Sequence, residues 1–167
     1  KMKKFIWMFK KIIFSLILFF SIINYSFSAT TSDEGSKSNY DKAANLIKSA
    51  KKYESKGKDK RAKKRYEKAL KLLIKSNKEK PNQANTLNYL GFASRKLGDY
   101  EKGEKYYLQG LEIDPTHNGI NEYLGELYVA TNRVDLAIQR LNVLKNCNCE
   151  EYKELKDIID GKKESKY

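Results

Sequence analysis

Residues 84–117 read ANTLNYLGFASRKLGDYEKGEKYYLQGLEIDPTH, and this stretch decides the fold because its pattern recurs on both sides at an interval of 34. Pro81 and Pro115 stand that far apart. So do Tyr66, Tyr100 and Val134, then Ala69, Gly103 and Ala137, then Leu73, Tyr107 and Leu141, while Leu90-Gly91 returns as Leu124-Gly125. Leu87, Leu90 and Leu97 fall on one helical face. Tyr100, Tyr107 and Leu111 fall on the facing side of a second helix, with Gly98-Asp99 as the break between them and Asn132-Arg133 as the corresponding break one period later. A helical pair of this size cannot bury its own apolar stripe, so copies must stack, and roughly three are needed for stability.

A period of 34, with a leucine-glycine pair in the first helix, an alanine-x-x-x-aromatic step in the second and a closing proline, resembles the tetratricopeptide repeat. In the quoted unit, set at 83–117, the family's places are held by Leu87, Leu90, Gly91, Leu97, Gly98, Tyr100, Gly103, Tyr107, Gly110, Leu111 and Pro115. The resemblance implies an all-α fold: a right-handed superhelical stack of helix-turn-helix hairpins over roughly residues 40–149. Residues 40–82 are a divergent first repeat, with a turn near Lys56-Gly57-Lys58 and an over-long second helix. Residues 118–148 keep Leu124, Gly125, Tyr128, Ala137, Leu141 and Leu144. They depart from the family at Asn121, where a large apolar residue is preferred, and the proline expected next is replaced by Cys149. Residues 149–161 read as a capping helix, with Tyr152, Leu155, Ile158 and Ile159 on one stripe, Glu150 and Glu151 suiting its positive end, and Gly161 closing it. A Lys-rich tail follows at 162–167.

The amino terminus is of another kind. Lys3, Lys4, Lys10 and Lys11 precede an apolar run over residues 12–23, and Ser26, Ser28 and Ala29 follow. This is the order of a secretory signal peptide over residues 1–28, and the run is shorter than the roughly 18 to 20 residues that span a bilayer. The expectation is cleavage near Ser28 or Ala29 and export to the periplasm of a bacterial envelope, the alternative being an uncleaved segment anchored in the inner membrane. Residues 29–39 read as a disordered polar linker. Export makes Cys147 and Cys149 worth weighing, and three readings stand: a plain structural role, bonded or merely packed, a redox-active pair, or two thiolates for a soft metal. Four-coordinate zinc would need further ligands, and no other Cys or His lies nearby in sequence. No cofactor or metal is expected.

The formal net charge is +13 and unevenly spread. Residues 41–80 carry 16 basic and 5 acidic side chains, whereas residues 81–167 carry 12 basic and 14 acidic. The first hairpin is therefore the basic element. Lys51, Lys52, Lys56, Lys58, Lys60, Arg61, Lys63, Lys64 and Arg65 crowd its turn, a cluster that suits a solvated face or an anionic membrane surface. Nucleic acid is disfavoured by the exported location and by the lack of an accompanying motif.

The resemblance implies a concave groove, lined by the first helix of each unit, that binds an extended peptide or partner helix. Its candidates are Asn88, Tyr89, Phe92, Arg95 and Lys96 from one helix and Glu122, Tyr123 and Glu126 from the next, with Tyr89 and Tyr123 one period apart and able to form an aromatic ladder or to pack between helices. Family members that grip a terminal carboxylate use basic side chains where this chain has Glu122, Tyr123 and Glu126, a departure that points to a basic or amide-rich segment instead. No catalytic set is legible, and the lone His117 reads as an exposed turn residue after Pro115. The expected function is a non-enzymatic protein-protein interaction adaptor or scaffold in the envelope. The alternative is a redox-active or soft-metal-handling protein acting through Cys147 and Cys149.

Overall fold

A computed structural model of the chain describes residues 37–165. The signal segment expected at 1–28, residues 29–36 of the expected linker and the last two residues of the tail lie outside the described residues. Seven helices and no strands make up the described part: α1 (Asn39–Glu54), α2 (Asp59–Glu79), α3 (Ala84–Lys96), α4 (Tyr100–Ile113), α5 (Asn118–Ala130), α6 (Val134–Leu144) and α7 (Glu150–Ile159). Consecutive helices pair as the hairpins α1–α2, α3–α4 and α5–α6; α3 packs on α2, α5 packs on α3 and α4, and α7 covers α5 and α6. The all-α stack of hairpins with a terminal cap is the architecture that the 34-residue period implies. Among the described residues no helix is long and apolar enough to cross a membrane.

Local signals start and stop these helices. The Ser38 side chain accepts from the Asp41 amide at the head of α1, Asp99 from the Lys102 amide at the head of α4, and His117 Nδ1 from the Ile120 amide at 3.2 Å at the head of α5. Each satisfies one of the amides that a first turn leaves without a partner. Gly98 (φ 90°) and Asn132 (φ 57°) occupy the same place in successive hairpins, and both adopt the left-handed conformation that reverses the chain. Helix α2 runs 21 residues and buries Ala62, Tyr66, Ala69, Leu73 and Ser76 along one side, so both overlapping registers of its motif face the core.

Close approach of the helices depends on small residues. A Cβ on Gly91 would lie 2.4 Å from the Tyr107 ring, so the fully buried tyrosine of α4 rests directly on the α3 backbone. The equivalent Gly125 receives not its own hairpin's Leu141 but Leu155 of α7, whose Cδ2 would be 2.5 Å from such a Cβ. Leu141 is shorter than the tyrosine at the same place and stays partly exposed, while Leu155 is fully buried. The cap thus completes the last repeat.

Asn121 departs from the apolar family preference for a structural reason. It is fully buried; its Nδ2 donates to the Pro115 and His117 carbonyls at 3.0 and 3.1 Å, and its Oδ1 accepts from Arg140 Nη1 at 3.4 Å. The side chain stitches the turn between two repeats to the helix that follows. Asn121→Leu, although it restores the apolar preference, is expected to cost roughly 1 to 3 kcal/mol by stripping partners from these groups. Urea unfolding of the two proteins checks this, and equal stability would remove the stitching role.

Candidate functional site

The first helices of the hairpins and the cap enclose a cleft of about 560 Å³. Lys51, Glu54 and Ser55 come from α1 and its end, and Asp59 from the start of α2. Phe92 and Lys96 come from α3, Glu122, Tyr123 and Glu126 from α5, Glu154 and Ile158 from α7, and Lys163 and Glu164 from the segment after it. A second depression of about 480 Å³ adjoins it, sharing Glu122 and Tyr123 and adding Asn88, Tyr89, Asp114, Thr116, His117, Asn118, Gly119 and Glu151.

The floor is aromatic. Phe92 and Tyr123 lie with ring centroids 4.9 Å apart at 43°, and Tyr66 meets Phe92 edge-on at 5.8 Å. Above them the Lys51 ammonium sits 4.5 Å from the Phe92 centroid and 5.2 Å from that of Tyr123, and donates to the Tyr123 hydroxyl at 3.0 Å. Lys51 is exposed as a whole residue, but its head rests against the rings, and the loss of water there lowers its pKa.

Beneath the floor lies Arg95, 1% exposed. Its Nη1 donates to the Tyr123 carbonyl at 2.6 Å and its Nη2 to Glu126 Oε2 at 3.2 Å, while the guanidinium stands 5.4 to 6.0 Å from the rings of Tyr123, Phe92 and Tyr107. On the α1 side Lys96 pairs with Glu54 at 2.9 Å, and the other oxygen of Glu54 accepts from the Tyr66 hydroxyl at 2.9 Å. Lys163 pairs with Glu154.

Burial pushes the Glu122 carboxyl up to about 8; Glu126, Glu151 and Glu154 add to the shift and Lys51 opposes it. Glu126 is also raised by burial, against the pull of Arg95 and Lys51. The cleft lining holds six acidic side chains against three lysines, so its field is acidic even with Glu122 protonated.

Of the residues expected to line a groove, Phe92, Lys96, Glu122, Tyr123 and Glu126 line the cleft, and Asn88 and Tyr89 line the depression. Arg95 is the correction. It lies under the floor because Gly103 on α4 leaves room for its stem, whose Cβ would be 3.3 Å from a Cβ on that glycine, and because Glu126 meets its charge. Of the two readings for Tyr89 and Tyr123, a ladder or packing between helices, the rings follow the second, with separate partners: Tyr89 stacks on Tyr40 at 5.6 Å, and Tyr123 tilts against Phe92 at 4.9 Å.

Lys51, Glu54, Glu154 and Ile158 were not legible as groove residues. The first two are three apart on a helix whose repeat register is weak, and the last two are four apart on a helix that reads only as a cap. His117 is a second correction: it is a half-buried helix cap whose Nε2 lies 2.9 Å from Asn85 Oδ1, not a bare turn residue. Cys147 and Cys149 are joined in a disulfide at the entry to α7, and neither lines the cleft. Among the described residues no group of three or more His, Cys, Asp or Glu is placed to hold a metal ion. In the basic hairpin Lys52, Lys56, Lys58, Lys60, Lys63 and Lys64 are exposed, while the Arg61 and Arg65 guanidinium groups each lie 5.9 Å from the Tyr53 ring centroid.

Residues 84–117 match the family model of the tetratricopeptide repeat. No curated protein matches the chain. Among solved structures, the chain is similar to the first tetratricopeptide-repeat domain of Spaghetti (RPAP3) bound to the HSP90 peptide SRMEEVD, with a TM-score of 0.53, 19% identity and coverage of 73% of this chain and 96% of that one. It is also similar to the type III secretion translocator chaperone SycD of Yersinia enterocolitica, with a TM-score of 0.52, 20% identity and coverage of 72% and 88%. At these identities the likeness shows the fold.

The position of Glu122 has a consequence for stability. An unfolded glutamate titrates near 4.3, whereas the folded one holds its proton up to about 8. The folded state therefore binds more protons between these values, and its stability falls as pH rises through that window. Glu122→Gln removes the penalty: its melting temperature should match the native chain near pH 4 and exceed it at pH 8. Thermal scans across this range check it, and a pH-independent difference would refute the burial of this carboxyl.

Proposed function

We propose that this protein of tetratricopeptide-repeat fold is a non-enzymatic adaptor that holds an extended segment of a partner protein in the groove formed by α1, α3, α5 and α7. One observation carries the reading. An open cleft with an aromatic floor, walled by charged side chains from four helices, continues into a second depression, so the surface is long and polar-rimmed rather than a closed pocket. That the Spaghetti domain of the same fold is solved with a peptide bound supports the reading. The exposed basic turn of the first hairpin suits contact with an anionic membrane surface beside this role.

The adaptor acts in the bacterial cell envelope. Support for that setting is the charged-apolar-small order of residues 1–28. Amino-terminal sequencing of the protein recovered from cells should give a chain starting near Ala29. A chain that retains residues 1–28 would instead make it a membrane-anchored form.

The binding role is tested by photo-crosslinking in cells from Tyr89, in the depression, and Ser55, on the cleft rim, with the exposed Leu108 of α4 as control. One dominant protein captured from Tyr89 and Ser55 but not from Leu108 is the expected result; capture equal at all three sites would overturn it. The Cys147–Cys149 disulfide keeps the redox reading as the alternative. A variant with both cysteines changed to serine retains capture if the groove is the working part, and loses function if the disulfide is.

A further inference from the structure

We infer that the segment held in the groove is basic, and that one of its lysine or arginine head groups takes the place of the Lys51 ammonium on the Phe92–Tyr123 ring pair and pairs with Glu122. This rests on the groove being the partner site. The molecule already shows what that place accepts. A cation over two ring faces is attracted by their quadrupoles, and the Lys51 head is held there by the rings and by a single hydrogen bond to Tyr123. Lys51 is exposed and belongs to a neighbouring helix, so it can swing out, and the groove is left with a vacant cation seat.

The charges around that seat point the same way. Lys96 is committed to Glu54, Lys163 to Glu154 and Arg95 to Glu126. Glu122 has no ion-pair partner among the described residues, although Glu126 on its own helix, Glu151 and Glu154 on α7 and Lys51 on α1 all act on it. Outside those pairs the cleft also carries Asp59 and Glu164 and the depression Asp114 and Glu151, with Glu122 lining both. An acidic segment would meet the like charge of Asp59, Glu164, Asp114 and Glu151, and a basic one complementary charge.

Asn88 adds a separate observation. It lines the depression, is 8% exposed, and its Oδ1 has no hydrogen-bond partner. A buried acceptor left open is costly, and a turn of the amide toward the depression would let a donor from a bound chain satisfy it. Burial keeps a proton on Glu122 near neutral pH, so seating a cation beside it expels that proton.

The test uses the purified full chain and three acetylated, amidated octapeptides in which serine alternates with lysine, glutamine or glutamate, titrated calorimetrically at pH 6, 7 and 8. The lysine peptide should bind best, tighten as pH rises toward 8, release protons to the buffer and weaken with salt. Lys51→Ala should tighten it by roughly 3- to 10-fold by vacating the ring pair, and Glu122→Gln should weaken it and flatten its pH dependence. A lysine peptide that binds no better than the glutamine peptide, or that is weakened by Lys51→Ala, overturns the inference. If crosslinking from Tyr89 and Ser55 still captures one protein in that case, the adaptor reading survives; if it captures none, both readings fail.

Discussion

The buried guanidinium of Arg95 is the interaction on which the concave side depends. Placing such a charge under an aromatic floor is expensive unless its donors are met, and here both terminal nitrogens reach partners on the next helix, the Tyr123 carbonyl and Glu126. The bond to a main-chain carbonyl in the middle of α5 fixes that helix against α3. It thereby sets where Glu122 and Tyr123 emerge. Losing one partner of such a pair costs about 3 to 5 kcal/mol, because the other is left charged and dry, whereas an apolar pair of the same shape can be neutral. The ion pair is therefore better understood as fixing the register of two repeats than as adding to their stability. The three rings around it supply the faces that make burial of an arginine, rather than a lysine, tolerable.

The hairpin contacts serve the same floor. Tyr107 closes α4 onto α3 at Gly91, and its ring also lies 6.0 Å from the Arg95 guanidinium. Gly103 clears the stem of Arg95, and Gly110 takes the Ile120 side chain of the following repeat, whose Cδ1 would lie 2.4 Å from a Cβ there. Three small residues on α3 and α4 thus admit a tyrosine, an arginine and an isoleucine in turn. Packing within a hairpin and alignment between hairpins are carried by adjacent positions on the same helices.

This arrangement explains what could be read from the sequence. The recurrence of Leu90-Gly91, Tyr107 and Pro115 at 34 residues specifies hairpins, because each marks a contact that every unit must make. It also specifies the face of α3 and α5 from which Phe92, Lys96, Glu122 and Tyr123 project. It could not specify Arg95, which lies one helical turn beyond Phe92 and leaves the groove because Gly103 opens a space under it and Glu126 meets its charge. Nor could it assign Leu155 to Gly125, since the repeat points to Leu141 and the choice is made by side-chain length across three helices. Asn121 looks like decay of the motif until the carbonyls of Pro115 and His117 are seen above it. Spacing along one helix reports which face is shared, but not which neighbour arrives to cover that face.

Helix α7 shows how far the groove shapes an element that the repeat requires anyway. A cap needs an apolar stripe, and Leu155 and Ile158 supply it by packing into the end of the stack. It also needs a favourable first turn, and Glu150 and Glu151 suit the positive end of its dipole. Neither requirement reaches Glu154. The dipole fades within the first turn, and Glu154 lies in the second, on the side that borders the cleft. An acidic residue there raises the Glu122 carboxyl further and must be held by Lys163 from beyond the helix end, an electrostatic cost that capping alone does not demand. The position makes sense if α7 is the fourth wall of the binding surface as well as the lid of the core, which places the end of the groove at the end of the stack.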